Sequence, residues 1–251
     1  MIKPSHRNID TPSDIKAGAK SALAGKWKEA ILTAVIPTIF SVLFFNTVTE
    51  GNSNSFLFEL IEGLLLTGVT FGFMNLARNQ SYILSPLEEI ASPFRREYFK
   101  NLLFLKLWKY LFISLWSLLF LIPGIVKSYS YSQAELIYKD HVDSTGEQPD
   151  ARMIIRESMR MMDGYKSALF LLDLSFIGWH ILNGLTMGVL GLWLTPYTSM
   201  SRVVFYEILT AGYYTNTAAE PTAFTNERVV KKEHQAEVGK NPEDFSDFED
   251  F

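Results

Sequence analysis

The residues of this chain that could do chemistry are ionisable side chains inside long apolar runs. The run 166–206 contains Asp173, His180 and Arg202, and Glu135 lies in the shorter segment 125–139. A charged side chain within a membrane span is costly, so it normally faces protein or water. An Asp–Arg pair with a nearby histidine could line a polar pathway or relay protons. The sequence therefore predicts an intramembrane polar cluster of these four residues; the alternative is ion pairs that only orient helices, with a packing histidine.

A second set of charges lies at the other end of the predicted spans. Glu59 and Glu62 are near the start of one apolar run, and Lys127 is near the start of another. Under the topology derived below, all three lie towards the outer face. The sequence therefore predicts an outer-leaflet charge cluster, which would be either a second polar layer of a pathway or another helix-orienting contact.

The composition argues against several kinds of chemistry. The chain has no cysteine, which excludes disulfides and thiolate sites. No Ser/His/Asp arrangement, HExxH sequence or phosphate-binding loop is visible, and no further metal ligand lies at helical spacing from His180. We therefore expect a protein that is not an enzyme, with no catalytic residues, no cofactor and no bound metal.

The apolar runs predict an all-α polytopic membrane bundle over residues 30–210. Five runs have spanning length, because a bilayer core takes about 20 helical residues. A sixth segment, 125–139, is shorter and polar, and it follows a turn predicted at Pro123-Gly124. As a span it would need partners inside the bundle for its Ser, Tyr and Gln side chains. The predicted spans are 30–49, 56–77, 102–122, 125–139, 167–183 and 189–209.

The distribution of Lys and Arg distinguishes six spans from five. Basic residues are concentrated before Glu29, between Ala77 and Tyr110, and in 139–166, whereas the loop 47–55 has none. The three basic regions lie on one side only if 125–139 crosses the membrane. Six spans put both termini in the cytoplasm. The alternative is five spans, with 125–139 as an interfacial helix and the tail outside.

Two amphipathic helices are predicted on the cytoplasmic side. Residues 1–29 contain a helix start at 11–14, with a capping threonine and a proline at the first helical position. A second helix, 150–166, has an apolar stripe and a basic stripe. We predict that the basic stripe binds the anionic cytoplasmic leaflet; the alternative is that this helix packs on the cytoplasmic face of the bundle. The stripe consists of Arg152, Arg156 and Arg160.

Residues 211–251 form a predicted cytoplasmic tail. Their net charge is −5 and that of the whole chain is −4, so the acidity belongs to the tail. Without apolar periodicity, the tail is expected to be largely disordered. Near its end, Phe245, Phe248 and Phe251 recur every third residue among acids. They form a candidate docking motif for a cytosolic partner; the alternative is a solvated acidic tail.

Four segments carry a resemblance to a known family. They are DIKAGAKSALAGKWKEAI (14–31), IPGIVKSYSYSQAELIYKD (122–140), ESMRMMDGYKSALFLLDLSFIGW (157–179) and LWLTPYTSMSRVVFYEIL (192–209). In this order, over roughly residues 13–210, the chain resembles the bacterial integral-membrane family catalogued as domain of unknown function 975, found mainly in Gram-positive bacteria. The resemblance implies a multi-pass plasma-membrane protein of uncharacterised activity, and it carries no catalytic residues.

The sequence favours a non-enzymatic scaffold, regulatory or partner-binding module in the plasma membrane. The alternative is a small transporter or permeability factor with a polar pathway lined by the fourth, fifth and sixth spans. Expected partners are the lipid bilayer, its anionic cytoplasmic leaflet, and a cytosolic or membrane protein, but not nucleic acid. A homo-oligomer remains open, because the spacings Gly68–Gly72 and Gly184–Gly188 allow close helix approach.

Overall fold

The computed structural model describes residues 11–49, 55–96, 98–119 and 121–217. All regular structure in these residues is helical, which confirms the predicted all-α class. A short 3₁₀ turn, Ser92–Phe94, separates the fourth and fifth α-helices. The α-helices are α1 Pro12–Leu23, α2 Trp27–Thr49, α3 Ser55–Arg78, α4 Pro86–Ala91, α5 Phe99–Leu119, α6 Leu121–Ser130, α7 Ala134–Thr145, α8 Ala151–Met161, α9 Lys166–Leu174, α10 Ile177–Leu185 and α11 Gly191–Thr217.

The helices follow the predicted segments with three differences. The segment 125–139 is not one helix, since α6 ends at Ser130 and α7 begins at Ala134. The segment 167–183 is divided into α9 and α10. The last helix continues to Thr217, so the first residues of the predicted disordered tail are helical. By length and mean hydropathy, two stretches of the described residues are suited to crossing a membrane, Phe56–Arg78 and Lys166–Leu185.

Helices α6 and α7 return along α5 in an antiparallel hairpin. A Cβ on Gly124 would lie 2.2 Å from Ser117 Oγ, so the glycine allows α5 and α6 to approach each other closely just after the reversal. Further along, the Tyr131 ring packs on Phe112, with ring centroids 6.3 Å apart, and Tyr138 packs on Tyr98. The chain reverses before Pro123, not at Pro123-Gly124 as predicted. Pro123 lies instead in the first turn of α6, where a missing backbone N–H leaves no helical bond unmade.

Polar contacts at one end of the bundle join three helices. The Arg78 guanidinium at the end of α3 pairs with Asp140 of α7, and its Nε donates to Glu207 of α11 at 2.8 Å. Tyr206 donates to the same Asp140 carboxylate. At the opposite end, a Cβ on Gly188 would lie 2.6 Å from the Val42 side chain. These contacts fix alternating directions for α2, α3, α5, α6–α7, α9–α10 and α11.

The spacing Gly68–Gly72 makes room for a helix of the same chain. Helix α4 lies against α3 so closely that a Cβ on Gly68 would lie 2.4 Å from the Glu89 carbonyl oxygen. A Cβ on Gly72 would lie 2.8 Å from the Glu89 side chain. Burial raises the pKa of the Glu89 carboxyl, although the hydrogen bond from the Tyr82 hydroxyl opposes that shift. This close approach is therefore intramolecular; Gly184 has no neighbouring atom within 4 Å.

The surface divides into an apolar belt and a more polar pole. Large apolar side chains are exposed along α2, α5, α6, α9 and α10, with Leu118 at 84% and Leu185 at 77% exposure. No residue of α10 is buried. Among the described residues, no large apolar side chain is exposed between Val126 and Phe170, or after Trp193. A folded surface with this much exposed apolar area is typical of contact with lipid or another protein.

The two predicted amphipathic helices use their apolar faces inside the protein. Helix α1 buries Ile15, Ala19, Ala22 and Leu23 and packs mainly on α11. Helix α8 packs on α5 and α7, and Ser158 donates to the Ser130 carbonyl at the end of α6 at 2.9 Å. The basic stripe of α8 remains exposed. Helix 150–166 therefore packs on the bundle, as the alternative prediction stated. Its arginines remain exposed and could still face an anionic surface.

Replacing Gly68 by alanine tests the contact between α3 and α4. The new Cβ would collide with backbone atoms of Glu89 and Ile90, which cannot rotate away, so we expect a loss of about 1–3 kcal/mol or more in unfolding free energy. Thermal unfolding in one detergent, followed by circular dichroism, measures it. Gly184→Ala is the matched control, because open space surrounds that position. Equal melting temperatures for the two variants would contradict the assigned packing.

Candidate functional site: a polar cavity inside the bundle

A cavity of about 710 Å³ lies between the helices and is lined largely by polar side chains. Hydroxyl groups line it from α2, α3 and α11, among them Thr38, Thr70 and Ser199. Ionisable groups line it from α3, α5, α7, α9, α10 and α11. The cavity walls therefore come from every helix that the sequence predicted to span, and α1, α4 and α8 contribute nothing to them. The ionisable lining residues other than tyrosine are Glu62, Lys106, Lys109, Glu135, Asp173, His180 and Arg202.

Glu135 lines this cavity and makes three polar contacts. Its Oε1 accepts hydrogen bonds from Lys106 Nζ and Lys109 Nζ, each at 2.9 Å. Its Oε2 lies 2.8 Å from the Thr67 hydroxyl, which also lies 2.8 Å from the Gly63 carbonyl oxygen. The contacts join α7 to α5 and α3. One carboxylate therefore connects three helices at a point where α6 has ended and α7 begins.

The elements that position these groups follow from the sequence. Lys106 and Lys109 are three residues apart, so they lie on one face of α5. The antiparallel hairpin then brings Glu135 opposite them. On α3, Gly63 lies beside the same ammonium group, since a Cβ there would be 3.4 Å from Lys106 Nζ, an ordinary contact distance. The result is a site in which two ammonium groups share one carboxylate oxygen.

This arrangement leaves hydrogen-bonding capacity unused. Lys106 is buried, with 5% of its surface exposed, and Glu135 is its one hydrogen-bond partner among the described residues. Each ammonium has three N–H donors, whereas the two share a single acceptor oxygen. A buried charge is stable only when paired and hydrogen-bonded. Further acceptors, from water or an anionic ligand in the cavity, would complete this site.

Asp173 and Arg202 form the second charged contact of the cavity. Arg202 Nη2 lies 3.0 Å from both carboxylate oxygens of Asp173, and the pair joins α9 to α11. The Arg202 side chain is 55% exposed. Both residues also line a smaller cavity of about 310 Å³ that opens at the surface of α9 and α10.

The predicted cluster of Glu135, Asp173, Arg202 and His180 is divided between two contacts. Asp173 meets Arg202, whereas Glu135 meets Lys106 and Lys109. His180 is exposed and lines both cavities, and no hydrogen bond joins its side chain to Asp173 in the described part of the chain. The relay role of His180 stays a prediction.

The predicted outer charge cluster of Glu59, Glu62 and Lys127 stays a prediction. Lys127 Nζ lies 5.0 Å from the centroid of the Trp116 ring, and no ion pair within the described ranges joins it to Glu59 or Glu62. The hairpin places Lys127 of α6 beside Trp116 of α5, whereas both glutamates lie on α3.

Sequence reasoning missed Lys106, Lys109 and Thr67 as partners of Glu135. The signal available was the hairpin itself: a reversal near residue 120 pairs position 106 with position 135. In the remaining predicted sites, Arg152, Arg156 and Arg160 lie exposed on α8, with Arg160 Nη1 3.8 Å from Glu157. Phe245, Phe248 and Phe251 lie outside the described residues. Within the described residues, no group of three or more His, Asp or Glu side chains is arranged to hold a metal ion.

Fold and site together define an all-helical bundle with an apolar belt and a charged internal cavity. A family model described as "Protein of unknown function (DUF975)" matches residues 119–212, which confirms the resemblance over that stretch. The matched stretch begins at the turn of the hairpin and includes Glu135, Asp173 and Arg202, whereas α1 to α4 lie outside it. No curated protein and no solved structure matches the chain.

Replacing Glu135 by glutamine tests the central contact. The variant leaves the buried Lys106 ammonium without a carboxylate, and breaking a buried pair costs about 3–5 kcal/mol. Adding Lys106→Met should recover part of that loss, because the unpaired charge is removed with its partner. The matched control is Asp163→Asn, at a carboxylate that is 86% exposed and contacts Lys166 only at 3.9 Å. Thermal melts that show additive losses for the two cavity changes would exclude the contact.

Proposed function

We propose that this chain is a multi-pass plasma-membrane protein that binds a small polar or charged ligand in its cavity and provides a pathway for it. The observation that supports this proposal most directly is a charged cavity of about 710 Å³ inside a bundle with an apolar surface. A packed scaffold has no need of such a cavity, because unfilled polar space lowers stability. The proposal therefore favours the small transporter or permeability factor over the scaffold that the sequence favoured.

The apolar belt supports a membrane location with six crossings. Most of the exposed apolar side chains lie on α2, α3, α5, α6, α9 and α10, with Ile83, Leu87 and Phe94 among those outside these helices, whereas α7 and α8 bury theirs. In the proposed topology, α6, the turn after it and the first turn of α7 with Glu135 make the fourth crossing, and the rest of α7 and α8 belong to a cytoplasmic head. Arg78, Asp140 and Glu207 would then lie on the cytoplasmic side, in agreement with the basic loops there.

The amphipathic helices were one reason to favour a scaffold. Because α1 and α8 bury their apolar faces against the bundle, these faces are not free for a partner. The packing of α1 and α8 supports, instead, a cavity that is closed on its cytoplasmic side. The exposed arginines of α8 would then orient this side against the anionic leaflet.

A reporter fusion tests the six crossings. A reporter that is active only outside the cell should be inactive when fused after Phe251 and active when fused after Gly188, within the predicted outer loop. The expected difference follows from one crossing by α11. Activity after Phe251 would support five crossings and a tail outside the cell.

Cysteine accessibility tests whether the cavity holds water. In the natural cysteine-free background, Ser199→Cys should react with a membrane-impermeant thiol reagent, because Ser199 lines the cavity. Ser201→Cys is the matched control on the same helix, since Ser201 is fully buried. We expect labelling at least tenfold faster at position 199. Equal and negligible labelling at both positions, in folded protein, would contradict the pathway and would favour the scaffold function.

A further inference from the structure

The smaller cavity forms an opening in the apolar belt, and we call it the lateral portal. Its rim is apolar and exposed, formed by Phe170, Leu174 and Ile177. Its inner wall is polar and is shared with the main cavity. The shared residues are Tyr129, Asp173, His180 and Arg202. A ligand at this point therefore meets apolar side chains on one side and charges on the other.

We propose that the lateral portal binds an anionic membrane lipid whose phosphate faces Arg202 while its acyl chains lie against the apolar rim. This inference rests on the proposed function and names the class of ligand for the same cavity. It commits to a lipid because the rim residues belong to the surface that would face the bilayer. A soluble anion would gain nothing from Phe170, Leu174 and Ile177.

The charge of the headgroup follows from the unused donors. Arg202 uses Nη2 for both bonds to Asp173, and more than half of its side chain is exposed, so other N–H groups of its planar guanidinium face outwards. Arginine is well suited to phosphate recognition, because its donors match phosphate oxygens in pairs. Deeper in the same cavity, Lys106 and Lys109 share one carboxylate oxygen. A phosphate entering from the portal therefore moves towards further cations.

The acidic residues of the cavity limit how much negative charge it accepts. Glu135 and Asp173 are engaged by cations, but Glu62 also lines the cavity and has no ion pair among the described residues. The three carboxylates Glu62, Glu135 and Asp173 equal the three cations Lys106, Lys109 and Arg202 in number, so the lining has no excess positive charge to receive a second negative charge of the ligand. A lipid with one phosphodiester charge, such as phosphatidylglycerol, therefore fits better than a lipid with two phosphates.

Native mass spectrometry of the full chain in detergent, with equal amounts of dioleoylphosphatidylglycerol and dioleoylphosphatidylcholine, tests the proposal. We expect at least fivefold more phosphatidylglycerol than phosphatidylcholine to be retained. Asp173→Asn combined with Arg202→Gln should abolish that preference without leaving one charge unpaired. Ile177→Trp should lower the retention of both lipids by filling the portal. The control is Arg96→Gln, at an exposed arginine outside both cavities, and it should retain the wild-type preference.

The source of the anion is tested by adding sn-glycerol 3-phosphate. If this soluble compound displaces phosphatidylglycerol at millimolar concentration, or binds equally well to Ile177→Trp and wild type, the ligand is a soluble anion and the lipid proposal is overturned. A lack of lipid preference with a water-accessible Ser199→Cys would overturn the lipid proposal and leave the proposed function standing. A lack of both would overturn both.

Discussion

The contact between Glu135 and two lysines is the constraint on which the rest of the bundle depends. A carboxylate at the junction of α6 and α7 meets two ammonium groups of α5 and a hydroxyl of α3. Three helices cannot close around this group as an apolar core would, because charged groups need their partners and space for hydration. The cavity is the consequence: the helices stay apart where the charges are and pack tightly elsewhere.

The packing on either side of the cavity differs accordingly. Towards the polar pole, α7 buries nearly all of its side chains, and Arg78 joins three helices. Towards the other end, α10 buries none of its residues. The helix break between α9 and α10 separates this exposed stretch from Asp173, which remains paired with Arg202. A tightly packed polar pole and a loosely packed lateral side follow from the same sequence.

The sequence predicted the helices well because apolar runs and caps are local signals. Helix α1 begins directly after Thr11 with Pro12 at its first position, as predicted, and the ion pair expected between Asp173 and Arg202 is present in the structure. The partners of Glu135 and Lys127 could not be found from depth alone, because they depend on which helices are neighbours. The hairpin determines this, and its register became visible only with the packed side chains of α5 and α6.

The glycine patterns show the same limit. Gly68–Gly72 and Gly184–Gly188 look alike in sequence, yet the first holds α4 against α3 along both glycines, whereas in the second Gly184 is open and only Gly188 closely approaches another helix, at Val42 of α2. A pair of glycines at this spacing indicates only that another segment can approach the helix closely. The partner is chosen by the fold, and here it is a short helix of the same chain.

The most direct test of this account is an experimental structure of the full chain in a lipid nanodisc. The account predicts that Glu135 lies within hydrogen-bonding distance of both Lys106 and Lys109, beside a cavity that contains non-protein density. A bundle in which apolar side chains fill that space, with the two lysines extended to the membrane surface, would contradict it.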